Sequence, residues 1–300
     1  MVAQTLLHPS QAEEARLKKS AARLSIVAAA FLILIKMATG WLTGSISVWA
    51  SLLDSAMDIF ASSLNYLAVR TAARPPDEDH LYGHGKVESL AGLFQALVIT
   101  ASGLFVIWEA TRRIIQPPAM NYEWLGIATM FVAALVSLTL VRYLRRVGRA
   151  TESPAITADA AHYASDVYTN MAALAALLIT TLTSWKLADP VISILISGFI
   201  LWSATGVARD AIDVLMDRRL PIDVDETIAA IVKRHRPEGV IGFHDLRTRR
   251  SGSYKFIDLH LEVQREQTLE EAHAVTVRVL RAIESEVPRA RVQIHTDPAG

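Results

Sequence analysis

Apolar residues gather in six separate stretches over the first two thirds of the chain. Roughly 20 residues of helix, at about 1.5 Å per residue, cross a hydrocarbon core of about 30 Å. The pattern therefore predicts six transmembrane helices, at about residues 24–45, 48–69, 90–111, 122–141, 162–182 and 187–208. The first stretch follows basic residues, but it is too long for a cleaved leader and no small-residue cleavage signature follows it.

Beyond about residue 210 the apolar runs end, and the pattern becomes that of a small soluble domain. Residues 210–300 hold 30 of the chain's 60 charged residues. Helical and alternating patterns predict the order α, β, β, α, β. The elements lie at about 223–236, 240–249, 254–263, 268–287 and 290–296. Asp223 with Glu226, and Thr268 with Glu271, have the spacing of a capping box at the two helix starts.

These patterns predict three segments. They are a disordered N-terminal tail at 1–15, an all-α bundle of six transmembrane helices at 16–209 and an α+β domain at 210–300.

Basic residues set the orientation of such a bundle, because they collect on the cytoplasmic side. Those before the first helix and after the second, fourth and sixth all fall on one side, and only Lys186 lies clearly in a loop on the other. Both termini are therefore expected in the cytoplasm.

The composition excludes several classes of function. The sequence is 52% hydrophobic and 20% charged, with a mean hydropathy of +0.30, as expected of a protein with a large membrane-embedded part. The formal net charge is 0 and no basic tract lies among aromatic residues, so no nucleic acid partner is expected. Because cysteine is absent, any metal must bind through nitrogen or oxygen, which excludes thiolate zinc and iron–sulfur sites and argues against Cu(I).

Four ionisable residues lie inside two predicted transmembrane helices, in two pairs of equal spacing. Asp54 and Asp58 share one face of the second helix at i and i+4, and His162 and Asp166 do so on the fifth. Each charge costs roughly 2.5–3.5 kcal/mol at the bilayer centre on insertion scales. Both pairs reach a similar depth near the midplane, where three carboxylates and an imidazole would form a four-ligand cage for a divalent ion. Internal hydrogen bonds or a proton relay without metal are the alternative.

A second group of candidate ligands lies in the loop RPPDEDHLYGHGKVES after the second helix. Asp77, His80 and His84 can converge on one ion if the loop coils around it, and Gly83 and Gly85 give the backbone the freedom to do so. The alternative interpretation is ordinary solvated surface, since histidines in polar loops commonly have no ligand.

The soluble domain carries a third group of candidate ligands. His244 lies on its first strand, His260 on its second and His273 in its second helix, while His295 and Asp297 share one face of the last strand. Each residue alone is typical of a protein surface. Together they are enough for one or two metal sites with nitrogen and oxygen ligands.

These motifs resemble the cation diffusion facilitator family, in particular its bacterial ferrous-iron and zinc efflux type. The resemblance rests on the two membrane pairs, the DEDHLYGHGKVES loop and the LMDRRLP and HDLRTRRSG segments, and it covers about residues 15–298. One departure is Thr296, where related members often carry a longer amide side chain.

The resemblance implies a homodimer in the bacterial inner membrane that exchanges a divalent metal for protons. Each subunit is expected to have six transmembrane helices and a cytoplasmic ferredoxin-like domain. The implied transport site is Asp54, Asp58, His162 and Asp166, and the implied loop site is Asp77, His80 and His84. The implied binuclear cytoplasmic site is His244, His260, His273, His295 and Asp297.

We therefore expect proton-coupled export of Zn²⁺, with Cd²⁺ and Fe²⁺ as further substrates, by alternating access. Zinc would also be a structural and regulatory ligand that tightens the dimer. His162 is the expected proton carrier, because an unperturbed imidazole titrates near pH 6.5. The alternatives are an exporter selective for Fe²⁺ or Mn²⁺, and a metal sensor or scaffold that does not transport. No nucleophile motif supports a phosphoesterase, so an enzyme is not expected.

Overall fold

The structure is a computed structural model that describes residues 11–43, 46–116, 124–183, 185 and 187–300. Within these, the side chains of residues 11, 40, 43, 46–56, 126, 177 and 181 are not described. The chain divides into two compact units, one ending at Ile212 and the other containing Asp213–Gly300. The last helix of the first unit runs past this division, to Leu215.

Six long helices make up the first unit, and each predicted span falls on one of them. They are α1 (Gln11–Thr43), α2 (Ile46–Ala72), α3 (Lys86–Ile115), α4 (Trp124–Thr151), α5 (Pro154–Thr183) and α6 (Ala188–Leu215). The predicted disordered tail differs from the structure, because residues 11–15 are already helical; residues 1–10 lie outside the description. Glu13 and Glu14 in the first turn favour this early start, since carboxylates stabilise a helix N-terminus.

The first unit is a helical transmembrane region. Among the described residues, four helices contain a segment long and apolar enough to cross a membrane: Ala12–Thr39, Lys86–Ile115, Ile127–Thr151 and Ala188–Leu215. The other two helices, α2 and α5, carry the predicted membrane pairs of ionisable residues. Large apolar side chains such as Trp41, Phe105 and Trp202 are 80%, 60% and 71% exposed, as expected of a surface that faces lipid.

Small residues line the contacts between these helices. Ala21 and Ala22 of α1 and Ala155 and Ala160 of α5 are buried in one apolar cluster that also contains Tyr163. Side chains of this size let helix backbones approach closely. Close packing is what holds helices together in lipid, where no hydrophobic force drives them to associate.

A buried ion pair ties three parts of this unit together. Lys18 Nζ of α1 donates to Glu88 Oε1 of α3 at 2.8 Å, and Ser153 Oγ, in the turn between α4 and α5, donates to Glu88 Oε2 at 2.5 Å. Lys18 and Glu88 are only 8% and 2% exposed. Both carboxylate oxygens are thus engaged, which offsets the desolvation that burial of the charge imposes.

The second unit is an α+β domain with the predicted order of elements. They are α7 (Ile222–Arg234), β1 (Val240–Ser251), β2 (Tyr254–Val263), α8 (Leu269–Glu286) and β3 (Ala290–Pro298), with a 3₁₀ turn at Arg236–Glu238.

The capping box predicted for α8 is present, with reciprocal bonds between Thr268 and Glu271. The one predicted at Asp223 is wrong. Because α7 begins earlier, Pro221 occupies the capping position and has no side-chain oxygen to accept a bond.

The three strands form one sheet in the order β1-β2-β3. β1 and β2 are an antiparallel hairpin that turns at Gly252, whose φ of +58° favours glycine. β2 and β3 are parallel and are connected through α8. On β2, Ile257, Leu259 and Leu261 are buried in the core that includes residues of α7 and α8. The alternate residues of this strand, including His260, therefore point to the opposite face.

We expect Lys18→Met to destabilise the protein, because it leaves the buried Glu88 carboxylate without its cation. The expected loss is about 3 kcal/mol, measured by thermal unfolding of the detergent-solubilised chain. Lys19→Met, at the neighbouring and less buried position, is the control and should change stability by less than about 1 kcal/mol. Lys18→Met with Glu88→Gln should recover part of the loss. Equal unfolding of the two single variants would contradict the interpretation.

Candidate metal centres

Asp58, His162 and Asp166 come together between α2 and α5, and we refer to them as the membrane cluster. One potential ligand atom from each lies within 4.8 Å of the others. His162 Nε2 is 3.0 Å from Asp58 Oδ1, and these two residues are 3% and 9% exposed. The i, i+4 spacing puts His162 and Asp166 on one face of α5, opposite Asp58. An imidazole and two carboxylates in this arrangement can bind a divalent cation, and can equally hold protons.

Asp54, the fourth residue of the predicted cage, lies outside the described side chains. Its backbone belongs to α2, one turn before Asp58. The structure therefore brings together three of the four residues that the sequence selected, and the contribution of Asp54 stays a prediction.

A buried polar network next to the membrane cluster was not singled out by the sequence. Asp159 on α5 is fully buried and accepts a hydrogen bond from Ser25 Oγ of α1 at 2.5 Å. Tyr163 Oη donates to the Ser25 carbonyl oxygen at 2.9 Å and shares a 2.9 Å hydrogen bond with Ser62 Oγ of α2. The network thus links α1, α2 and α5 beside the membrane cluster, and it fixes the register at which α2 meets α5.

The sequence did carry a signal for one member of this network. Asp159 precedes His162 by three residues and therefore lies near it on the same side of α5. It lies three residues before the predicted transmembrane stretch at 162–182, so it was not counted among the ionisable residues inside the membrane. Ser25, Ser62 and Tyr163 gave no signal, because hydroxyl groups are frequent in helices and only their packing reveals a shared network.

Asp77, His80 and His84 also come together, and we call them the loop cluster. Asp77 Oδ1 is 3.1 Å from His80 Nδ1, and Asp77 Oδ2 is 3.1 Å from His84 Nε2. The turn between the histidines contains Gly83 at φ +80°, whose N–H donates to the His80 carbonyl oxygen. Partial desolvation opposes ionisation of Asp77, but hydrogen bonds from the backbone and ring of His80 outweigh it and lower the pKa of Asp77. A carboxylate and two imidazoles are suitable ligands for a divalent ion.

His244, His260 and His295 form a row across the three strands, and with Asp297 they make the sheet cluster. His260 is the register partner of His244 on β1 and of His295 on β3. The ring centroids are 5.0 Å and 4.8 Å apart along the row. Asp297 Oδ2 lies 2.8 Å from His260 Nδ1 and 3.4 Å from His244 Nε2, and its Oδ1 lies 3.2 Å from His295 Nε2. One carboxylate thus reaches all three imidazoles.

The electrostatics of the sheet cluster favour an ionised carboxylate. The hydrogen bond from the His260 ring lowers the pKa of Asp297, partial desolvation opposes it, and the charges of His295, His260 and His244 lower it further. Imidazoles bind metal only in the neutral form, so a cation that enters this cluster displaces any protons they carry. Metal affinity here should therefore rise with pH.

Two acids that the sequence did not select lie beside His244. Glu262 Oε1 is 3.7 Å from His244 Nε2, and Asp245 Oδ2 is 3.8 Å from His244 Nδ1. Glu262 could have been found from its spacing of two residues after His260. Asp245 could not, because strand alternation assigns it to the other face. A β-bulge after His244 and a φ of +49° at Asp245 interrupt this alternation. The Asp245 carboxylate therefore lies beside the His244 ring.

His273, the remaining residue of the predicted cytoplasmic site, and Thr296, the departure from the family pattern, lie apart from the sheet cluster. His273 is exposed on α8 and belongs to none of the convergent ligand groups among the described residues, so its role stays a prediction. Thr296 Oγ1 is hydrogen-bonded to Thr276 Oγ1 of α8 at 2.9 Å. Because alternate residues of a strand point to opposite faces, Thr296 points away from the cluster.

Both halves of the chain match known families. Residues 22–216 match the cation efflux transmembrane domain, and residues 220–299 match the cytoplasmic domain of cation efflux proteins. The cation-efflux pump FieF of Yersinia enterocolitica serotype O:8 is 42% identical over 287 residues, covering 95% of this chain and 94% of that protein. The FieF pump of Escherichia fergusonii is 42% identical over 283 residues, covering 94% and 93%. The metal-bound C-terminal domain of the CzcD transporter from Thermotoga maritima is 28% identical and covers 26% of this chain and 88% of that domain, with a TM-score of 0.24.

Tyr163→Phe should destabilise the transmembrane region by about 1–3 kcal/mol, because it leaves buried groups of Ser25 and Ser62 without their partner. Thermal unfolding in detergent measures this change. Tyr143→Phe is the matched control, since Tyr143 packs against the same apolar cluster and its hydroxyl has no hydrogen bond among the described residues. An equal effect of the two substitutions would show that the network contributes nothing beyond packing.

Proposed function

This chain belongs to the cation efflux family, and from that premise we propose that it exports Zn²⁺ from the cytoplasm in exchange for protons. It is a multi-pass membrane transporter and not an enzyme. The observation that carries the proposal is the convergence of Asp58, His162 and Asp166 within 4.8 Å inside the transmembrane region. Ionisable groups are expensive to bury in a membrane, and they are typical of the path of an ion or a proton.

The ligand chemistry of the membrane cluster supports zinc as the substrate. Zn²⁺ binds imidazole nitrogen and carboxylate oxygen in a tetrahedral arrangement, and Asp54 would supply the fourth ligand from the next turn of α2. Cd²⁺ and Fe²⁺ accept the same donors, and we propose them as further substrates. Relative affinity alone does not decide which ion is transported in a cell.

Competition between metal and protons for the same atoms would couple the two fluxes. His162 Nε2 faces Asp58 Oδ1 at 3.0 Å, so the atoms that would bind the ion share a proton in its absence. In our proposal the ion enters from the cytoplasm and displaces protons from His162 and the carboxylates. The site then opens outward, where protons displace the ion. An exchange of this kind needs no further energy source.

We propose that both termini lie in the cytoplasm of a bacterium, with the transmembrane region in its inner membrane. The basic residues at the end of α4 and around the loop cluster support this orientation, because positive charge collects on the cytoplasmic side. The loop cluster and the α+β domain would then face the cytosol, where the exported ion is captured. The bacterial origin of the similar pumps supports the location.

We propose a homodimer in which the sheet cluster regulates transport. The row of imidazoles and Asp297 are partly exposed and can therefore bind cytosolic metal without a change of fold. Bound cations would neutralise acidic groups such as Glu262 and Asp245 and reduce repulsion between facing domains. Metal in the cytosol would thus tighten the dimer.

Two alternatives differ from this proposal in testable ways. An exporter selective for Fe²⁺ or Mn²⁺ would use the same membrane cluster with a different preference. A sensor or scaffold would keep the loop and sheet clusters but would have no need of Asp58, His162 and Asp166. The presence of all three residues, at 3.0 Å between the first two, favours transport.

Asp58→Asn should strongly reduce metal flux driven by a pH gradient in proteoliposomes, because it removes a charged candidate ligand. We expect a loss of roughly tenfold or more in Zn²⁺ flux. Glu78→Gln, which changes an exposed acid beside the loop cluster, is the control and should transport normally. Parallel flux assays of the wild type with Fe²⁺ and Mn²⁺ identify the ion that it transports best. Absence of flux for every metal, with folded protein, would favour the sensor or scaffold.

His162→Asp should relax metal selectivity and alter proton coupling, because it replaces the nitrogen ligand and proton carrier by a fourth carboxylate. The measurements are the ratio of Zn²⁺ to Mn²⁺ flux and the number of protons exchanged for each ion. Unchanged selectivity and stoichiometry would show that the imidazole has no part in either.

Zinc should compact the wild-type dimer in small-angle scattering, and His260→Ala should lose this response because His260 is the centre of the imidazole row. His235→Ala is the control, since His235 hydrogen-bonds to the Ile231 carbonyl oxygen at the end of α7. His273→Ala tests the predicted ligand role of that residue. No change in wild type on adding zinc would refute the regulatory proposal while leaving transport untouched.

A further inference from the structure

A cavity of about 370 Å³ lies among α4, α5 and α6, apart from the three clusters. Its lining includes Arg145, Arg149, Ala160, Ala164, Tyr168 and Phe199. Both arginines are exposed, whereas Ala160 and Ala164 are buried. The cavity therefore has a positively charged end and a mostly apolar lining elsewhere.

The positive charge at one end of this cavity argues against the cavity as the path of the exported cation. On α5 it is lined by Ala161, Ser165 and Tyr168, whereas the membrane cluster uses His162 and Asp166. Two guanidinium groups at one end would repel a divalent cation, and no carboxylate among the described residues pairs with either arginine. The complementary ligand carries negative charge on an apolar body.

The length of the cavity fits one leaflet of a bilayer. Thr157 and Tyr168 line it eleven residues apart on α5, which is about 16 Å at 1.5 Å per residue. This is about half of a 30 Å hydrocarbon core. Thr157 lies level with the arginines, because a Cβ added to Gly148 would be 3.0 Å from Thr157 Oγ1. The charged end thus coincides with the end of α4, where a lipid headgroup would be.

We propose that this cavity binds a phospholipid with an anionic headgroup. The phosphate accepts hydrogen bonds from Arg145 and Arg149, and an acyl chain lies along the small residues of α5 towards Tyr168 and Phe199. Basic pockets between transmembrane helices on the cytoplasmic side are suited to such lipids. In the orientation proposed above, the lipid belongs to the cytoplasmic leaflet.

The bound lipid would stabilise the position of α6. This helix contributes Ile200 and Ala204 to a small apolar cluster that also contains Ile99 of α3. Phe199 and Ser203 of α6 line the cavity beside that cluster. A lipid chain between α6 and the α4–α5 pair would therefore add apolar contact to the side of α6 that carries Phe199 and Ser203.

Native mass spectrometry of the delipidated full-length protein tests the proposal. The probes are phosphatidylglycerol and phosphatidylcholine with identical acyl chains, added at equal concentration. We expect the wild type to prefer phosphatidylglycerol, and Arg145→Gln with Arg149→Gln to lower its binding roughly tenfold. Arg142→Gln with Arg146→Gln is the matched control, because these exposed arginines have the same spacing on α4 and do not line the cavity. Equal binding of the two lipids, or equal losses in the two double variants, would overturn the proposal.

A second variant tests the apolar part of the site without changing its charge. Ser203→Phe would fill the cavity from α6 and should lower phosphatidylglycerol binding while the arginines stay in place. Thr205→Phe, on the same helix but outside the cavity lining, should bind the lipid as wild type does. Unchanged binding by Ser203→Phe would show that the acyl chain lies elsewhere and would overturn its assignment to the cavity.

Discussion

The cost of burying charge in a membrane is the constraint on which the rest of this structure depends. A carboxylate among transmembrane helices must meet a cation, a proton or a hydrogen-bond donor, since no water compensates for its desolvation. Three contacts among the described residues meet this requirement. Glu88 is paired with Lys18, Asp159 accepts from Ser25, and Asp58 faces His162. Each contact also joins two helices that are far apart in sequence. These charges are therefore neutralised only when the helices pack together.

The three contacts differ in whether their groups can release protons and bind a metal ion. Lys18 and Ser153 occupy both oxygens of Glu88, which suits a permanent structural link. The membrane cluster gathers an imidazole and two carboxylates instead, so its members can exchange protons for a metal ion without leaving a charge uncompensated. The proposed transport mechanism needs both kinds of group, because the helices must be held together while the membrane cluster changes occupancy.

In the α+β domain, the register of the β-sheet brings the candidate metal ligands together. His244, His260 and His295 are distant in sequence but adjacent across the sheet, because one register aligns them on the face opposite the apolar core. A shift of one residue in either pairing would break the row and expose the core residues. Core packing therefore fixes the geometry of the candidate ligands. The alternation of Ile257, Leu259 and Leu261 with polar residues is what specifies it.

The sequence by itself determined the six helices, the order of the α+β domain and most of the candidate ligands, because apolar runs and the spacing of residues along a helix or strand are local properties. It misjudged the start of α1 and the cap of α7, where neighbouring residues alter the helix boundary. Only the tertiary structure decided which distant groups meet. The Asp159 network, the Lys18–Glu88 pair and the turned side chain of Asp245 depend on packing or on a β-bulge. The cavity beside Arg145 likewise exists only once α4, α5 and α6 have packed, since no single segment encodes the space between helices.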